Sequence, residues 1–254
     1  MKPVFAARTD KGLVRAINQD AYYLDPKGRF FIVADGMGGH AAGQEASRIA
    51  RETIRQYIEE RLEKGDPPDR LLEGAFQAAN QAIVSDQQVH PENADMGTTA
   101  VAILFEANDD EPNAKLWCAN LGDSRIYHFG DSQLEQVTED DTWVAQAVKA
   151  GALQVEEARV HPWRHVLSQC LGREDMGDVE IFALEVQLGD RFLLCSDGLT
   201  EELSDERIAM ELERHPTCEG AVASLVEAAK EEGGRDNITV ILVEIQNRMP
   251  DTPE

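Results

Sequence analysis

The chain has 254 residues, 42% of them apolar, which is enough for one substantial core and forces no second domain. Its 24 basic residues against 48 acidic ones leave a formal charge of −24, which argues against an electrostatic grip on nucleic acid or on an anionic membrane. Cys118, Cys170, Cys195 and Cys218 are scattered without a Cys-x-x-Cys pair, so neither a disulfide framework nor a zinc site is indicated. The first eight residues lack the apolar stretch of a signal peptide, and no run reaches membrane-spanning length, so a soluble cytoplasmic protein is expected.

Residues 3–8 and 21–25 read as short strands, joined by the polar loop Gly12-Leu13-Val14-Arg15-Ala16-Ile17-Asn18-Gln19-Asp20. The next stretch, Phe30-Phe31-Ile32-Val33-Ala34-Asp35-Gly36-Met37-Gly38-Gly39-His40, opens with five apolar residues that do not alternate with polar ones, as in a strand covered on both faces. It then runs into a carboxylate and three glycines, which allow a tight turn and close backbone approach. An Asp followed by Gly offers a carboxylate and an unobstructed backbone carbonyl, both hard oxygen ligands of the kind Mg²⁺ or Mn²⁺ accepts. Plain turn chemistry produces the same dipeptide, so this stretch alone decides nothing.

From about 41 to 63, Ala46, Ile49, Ala50, Thr53, Ile54, Tyr57, Ile58 and Leu62 fall three or four apart and predict an amphipathic helix, stopped by Gly65-Asp66-Pro67-Pro68. A second helix is expected over 69–88. Strands follow at 97–105 and 114–121 around an acidic turn, and again at 126–129 with a turn at Gly130-Asp131. Residues 138–176 show short helices and no β-pattern. Strands return at 179–186 and 190–196, the second ending in Asp197-Gly198 as a repeat of the Asp35-Gly36 geometry. Helices at 204–214 and 217–232, capped by Gly233-Gly234, precede a last strand at 238–245. This order suits an α+β fold, a four-layer α-β-β-α sandwich of two antiparallel sheets flanked by helix pairs, with an insert. The expected domain is 1–246, with 247–254 as a flexible tail.

Asp20, Asp35, Asp123, Asp197 and Asp236 each sit beside a predicted strand, and no His/Cys set of ligand spacing accompanies them. All-oxygen ligands select a hard divalent ion, and converging carboxylates repel unless cations lie between them. Spacing does not show whether these five meet.

Arg15 with Asn18-Gln19-Asp20, Val33-Ala34-Asp35-Gly36-Met37-Gly38-Gly39-His40, Met96-Gly97-Thr98-Thr99, Gly122-Asp123-Ser124-Arg125, Ser196-Asp197-Gly198-Leu199 and Gly234-Arg235-Asp236-Asn237-Ile238-Thr239 stand in a telling order and spacing. Over about residues 1–245 the chain resembles the metal-dependent type-2C serine/threonine protein phosphatases, in their bacterial branch. The resemblance implies two Mn²⁺ or Mg²⁺ ions in a cleft at the sandwich edge and a third, weaker site. In it Asp35 bridges both ions and the Gly36 carbonyl completes one shell. Asp197 and Asp236 hold the other ion, with Asp20 nearby, and Asp123 with Asp197 serves the third. Arg15 matches the residue that grips the substrate phosphate, and its planar fork suits two phosphate oxygens.

The insert at 138–176 corresponds to the flap beside the cleft. Met37 stands where eukaryotic members carry a His that protonates the leaving alkoxide, so His40, His161 or a metal-bound water is the candidate proton donor. Gln19 stands where those relatives carry Glu. The implied activity is hydrolysis of phosphoserine and phosphothreonine in proteins, by a cytoplasmic monomer whose partners are phosphorylated protein substrates.

Other classes fit less well. A cysteine phosphatase needs Cys-x5-Arg, whereas six residues separate Cys118 from Arg125, and no P-loop is present. A catalytically silent member of the fold, acting as a regulator, would be expected to lack a metal Asp. An enzyme acting mainly on small phosphate monoesters is a further alternative.

Overall fold

The strands sort their side chains between separate apolar layers, and this explains why they read as unbroken hydrophobic runs. The computed structural model describes residues 1–39, 42–106 and 114–247. In chain order its elements are β1 (Lys2–Asp10), β2 (Asp20–Leu24), β3 (Phe30–Met37), α1 (Ala42–Leu62), α2 (Pro68–Val89), β4 (Gly97–Thr98), β5 (Ala100–Glu106), β6 (Ala114–Leu121), β7 (Arg125–Gly130) and β8 (Gln133–Gln136). There follow α3 (Trp143–Lys149), α4 (Val155–Arg159), β9 (Glu180–Val186), β10 (Arg191–Cys195), α5 (Asp197–Thr200), α6 (Asp205–Arg214), α7 (Cys218–Glu232) and β11 (Ile238–Gln246).

One sheet has the order β1-β11-β10-β7-β8. The other runs β2-β3-β5-β6-β9, with β4 also paired to β3, and the pairings are antiparallel. In β3, Phe30, Ile32 and Ala34 point into a layer shared with α1 and α2, whereas Phe31 and Val33 point into the layer between the sheets. In β11, Ile238, Val240 and Leu242 face α6 and α7, whereas Ile241, Val243 and Ile245 face the other sheet. Both strands lie inside the four-layer α-β-β-α sandwich and have no polar face to show. Each fully buried Leu, Ile or Phe contributes about 1.5–3 kcal/mol of transfer free energy, so these layers are the main drive for assembly.

Turn and cap chemistry set the ends of elements. Pro68 occupies the first turn of α2, where no amide hydrogen is needed, and the hydroxyls of Ser204 and Thr217 cap α6 and α7. Among the described residues no helix is long and apolar enough to cross a membrane.

Four details depart from the sequence reading. The strand expected over 97–105 is divided at Thr99, although β4 and β5 keep one register against β3. A further strand, β8, follows β7 through a two-residue turn in which Asp131 and Ser132 adopt φ of 50° and 59°, the left-handed region that matches hairpin twist. The insert is not free of β structure: Leu171 bridges Thr98 and Leu167 bridges Thr142. Asp197-Gly198 does not repeat Asp35-Gly36, because β3 stays extended through Gly36 whereas Asp197 opens the short helix α5. Ala41, the acidic turn at 108–112 and most of the proposed tail lie outside the described residues.

Candidate active site

Antiparallel pairing carries the acidic residues to one end of the sandwich. Asp20 opens β2 directly opposite Asp35 on β3. Cys195 pairs with Arg125, so Asp197 just beyond β10 and Asp123 just before β7 leave the other sheet side by side, and Asp236 lies two residues before β11. A cleft of about 620 Å³ opens there, lined by Arg15, Asp35, Gly36, Asp123, Asp197 and Asp236, with Arg164, His165 and Arg173 from the insert. It adjoins a groove of about 810 Å³ between the insert and α5–α6, and Asp123, Asp197, Arg164, Glu201 and Glu202 line both.

Neutral side chains hold the carboxylate-bearing backbone in place. The Asp35 amide donates to Thr99 Oγ1 at 3.1 Å, and the Asp35 carbonyl accepts from the Thr99 amide at 2.9 Å and from Thr98 Oγ1 at 2.8 Å. Asn237, only 4% exposed, donates through Nδ2 to the Lys11 and Ile17 carbonyls and accepts from the Gln19 amide at 2.8 Å. It thereby ties the Arg15 loop to the Asp236 loop. Ser196 Oγ donates to Asp20 Oδ2 at 2.8 Å and accepts from the Thr239 amide at 3.0 Å.

The two Asp-Gly glycines are needed for close approach. A Cβ on Gly36 would stand 2.0 Å from the Gly43 carbonyl oxygen, and one on Gly198 would stand 2.0 Å from that of Asn237. Any larger residue would push apart the elements that bring the acids together.

Burial pushes the Asp35 carboxyl well above its usual range, helped by repulsion from Asp20, Asp197, Asp123 and Asp236. Burial raises Asp20 to about 7, with Asp197 and Asp236 adding to the effect. Asp197 rises to about 6 through burial and then the charge of Asp236, and Asp123 is driven well up by burial and then by Asp197. Such a set invites positive charge. Among the described residues no three acidic, His or Cys side chains form a ready-made ligand set. The fit to cations rests instead on this mutual repulsion and on Asp20 Oδ1, a buried carboxylate oxygen without a hydrogen-bond partner. All the donors are oxygens, as a hard divalent ion requires. Arg15 Nη2 meets Asp236 Oδ2 at 2.5 Å, the cationic counterpart that the cleft already contains.

Of the residues singled out from the sequence, Arg15, Asp35, Gly36, Asp123, Asp197 and Asp236 share the cleft, and Asp20 is not among its lining residues but pairs with Asp35 across β2 and β3 and accepts from Ser196. His40 lies outside the described residues. His161 does not line the cleft: its ring stacks on Trp143 with centroids 5.2 Å apart, and its Nδ1 accepts from the Trp163 amide. Sequence reasoning missed Thr99, Ser196 and Asn237 as supports, although each neighbours a quoted Asp or lies in a quoted motif. It also missed Arg164, His165 and Arg173, which lie in an insert whose sequence pattern placed no residue in space.

The sequence pattern of the protein phosphatase 2C family matches residues 13–242. The serine/threonine protein phosphatase PstP of Mycobacterium tuberculosis is 39% identical over 241 residues, which are 95% of this chain and 45% of that protein, so the chain spans under half the length of that relative. The serine/threonine phosphatase stp of Listeria innocua is 34% identical over 242 residues, 93% of this chain and 94% of that one. Among solved structures, the catalytic domain of PstP in complex with two manganese ions superposes with a TM-score of 0.84 at 35% identity, covering 96% of this chain and 99% of that one. With its fold, the acidic cleft at the sandwich end and the match over residues 13–242, the chain belongs to the protein phosphatase 2C family.

Proposed function

We propose that the protein is a metal-dependent phosphatase that hydrolyses phosphoserine and phosphothreonine in proteins. The observation that carries this reading is one half-buried site in which Asp20, Asp35, Asp123 and Asp197 all have raised carboxyl pKa values, through loss of solvent first and neighbouring acidic charge second, beside a cleft that Arg15 lines. The family match supports it, as does the manganese in the PstP structure. In this reading Asp35, the Gly36 carbonyl, Asp197 and Asp236 would hold two Mn²⁺ or Mg²⁺ ions, with Asp20 beside them. Asp123 with Asp197 would hold a third, weaker one. Bound there, the ions supply Lewis acidity that screens phosphoryl charge and acidifies water.

The chain's own residues then bind and orient. Arg15, held beside Asp236, would offer its fork to two phosphate oxygens. The Asn237 and Thr99 hydrogen bonds hold Arg15 and Asp35 at a fixed separation, which is what an in-line displacement needs. The insert over about 138–176 acts as a flap whose Arg164 and Arg173 border the cleft. The proposal extends to a single catalytic domain over 1–246 with 247–254 as a tail, acting as a cytoplasmic monomer on phosphorylated proteins.

The direct test is phosphate release from a phosphothreonine peptide with EDTA, Mg²⁺ and Mn²⁺ side by side. Release only with metal is expected, and Asp35→Ala should lower turnover by about 1,000-fold or more while the folded circular dichroism spectrum is kept; near-normal turnover would defeat the mechanism. For Arg15→Ala the expected change is a KM on the order of tenfold higher with a smaller change in kcat. An unchanged KM with a collapsed kcat would remove Arg15 from phosphate binding.

A third prediction follows from the raised carboxyls. Asp20 and Asp197 prefer their protonated forms in the metal-free fold, so the stability this lends is complete below the unfolded carboxyl range and disappears as pH rises through about 6 and about 7. In EDTA, Tm should therefore fall by several degrees between pH 5 and pH 8, and Asp20→Asn should flatten that fall. Added Mn²⁺ should raise Tm more at the higher pH, because cations replace protons as the neutralising charge. A Tm that climbs with pH in EDTA would show that the carboxylates are not mutually destabilising.

A further inference from the structure

The phosphatase reading leaves one chemical need without an assigned group, a proton for the departing seryl or threonyl oxygen. Histidine is the side chain most suited to give one near neutral pH. The chain has six. His40 lies outside the described residues. His90 pairs with Asp86 at the end of α2, and His215 faces Glu211 at the end of α6. His128 lies on β7 against Asp190 and stacks on Phe192, and His161 is held between Trp143 and Trp163. Among the described residues, His165 alone of the histidines lines the acidic cleft, together with Asp35, Asp123, Asp197 and Arg15.

Its placement is built. The Val166 amide donates to the Trp163 carbonyl at 3.0 Å, and the Val166 carbonyl accepts from the Trp143 amide at 2.8 Å. The Ser168 amide reaches the Asp141 carbonyl at 2.8 Å, so the backbone on the C-terminal side of His165 is fastened to the start of α3. The side chain is tied to the opposite wall. Glu201 Oε1 faces His165 Nδ1 at 3.5 Å, while Oε2 of the same carboxylate accepts from Arg164 Nε at 3.3 Å. Glu201 follows α5 and donates its amide to the Asp197 carbonyl at 2.8 Å, so one carboxylate links the insert to the helix that Asp197 opens. Nδ1 faces Glu201, so Nε2 is the ring nitrogen not engaged there, and His165 lines the cleft with its side chain 47% exposed, open to a substrate.

We propose that His165 is a catalytic residue, the general acid that protonates the leaving oxygen, with Glu201 as its positioning residue; this rests on the phosphatase reading. In the step, a water oxygen bonds to phosphorus as the bond from phosphorus to the seryl or threonyl oxygen breaks. The electron pair of the broken bond stays on that oxygen, and the imidazolium Nε2 proton moves to it, giving the free alcohol and inorganic phosphate. The proton lost by the attacking water returns to the imidazole through solvent, so the ring ends as it began.

The test uses the dependence on leaving group. An alkoxide needs the proton, whereas p-nitrophenolate leaves as a stable anion and gains little from it. Wild type, His165→Asn and His165→Gln are compared at saturating Mn²⁺ on a phosphothreonine peptide and on p-nitrophenyl phosphate, with Mn²⁺ binding followed separately by calorimetry. For both variants the ratio of kcat on the peptide to kcat on the aryl ester should fall on the order of 100-fold, with Mn²⁺ affinity retained. A ratio within about twofold of wild type, whatever the absolute rates, would overturn the assignment, since a phosphate-holding or structural role slows both substrates alike. Wild-type protein inactive on both substrates with Mn²⁺ present would instead sink the phosphatase reading itself.

Discussion

The crowding of half-buried, partly desolvated carboxylates is the constraint on which the rest of this structure depends. Asp20, Asp35, Asp123 and Asp197 occupy one end of a β-sandwich, where loss of solvent first and the charge of neighbouring acids second make their ionisation harder. A fold gains nothing from such an arrangement by itself. It is sustained because the apolar layers on both faces of both sheets supply a large, non-directional driving force that a few unfavourable charges at one edge do not cancel.

Because the acids cannot hold each other, neutral groups hold them. Thr98 and Thr99 fix the Asp35 backbone, Ser196 meets Asp20, and Asn237 ties the Arg15 loop to the Asp236 loop through a single amide side chain. These hydrogen bonds are satisfied inside the protein, so the carboxylates are presented by a rigid frame rather than by mobile loops. Gly36 and Gly198 complete the frame by letting neighbouring backbones come closer than a side chain would permit.

The insert contributes differently. Its helices α3 and α4 are short and bury little, and it is anchored by bridges at Leu167 and Leu171, by the Trp143–His161–Trp163 cluster and by the pairing of Arg164 and His165 with Glu201. Polar and aromatic contacts of this kind break more readily than a packed core, so the wall of the cleft that carries Arg164, His165 and Arg173 is held less firmly than the sheets that carry the acids.

Much of this was legible in the sequence by itself. The apolar run at 30–34 read as a strand covered on both faces, that at 238–245 as a last strand, the three-and-four spacing over 41–63 as a helix, and the acids beside predicted strands as ligands suited to a hard divalent ion if they met. These are local properties, set by side-chain period, turn chemistry and ligand hardness. Only the tertiary structure decided which of two similar Asp-Gly pairs stays extended and which opens a helix, because that depends on what lies across from each. It also decided that His161 packs against tryptophans while His165 reaches the cleft. Only three residues separate the two along the chain, and their difference comes from the long-range contacts with Trp143 and Glu201, which no local pattern encodes.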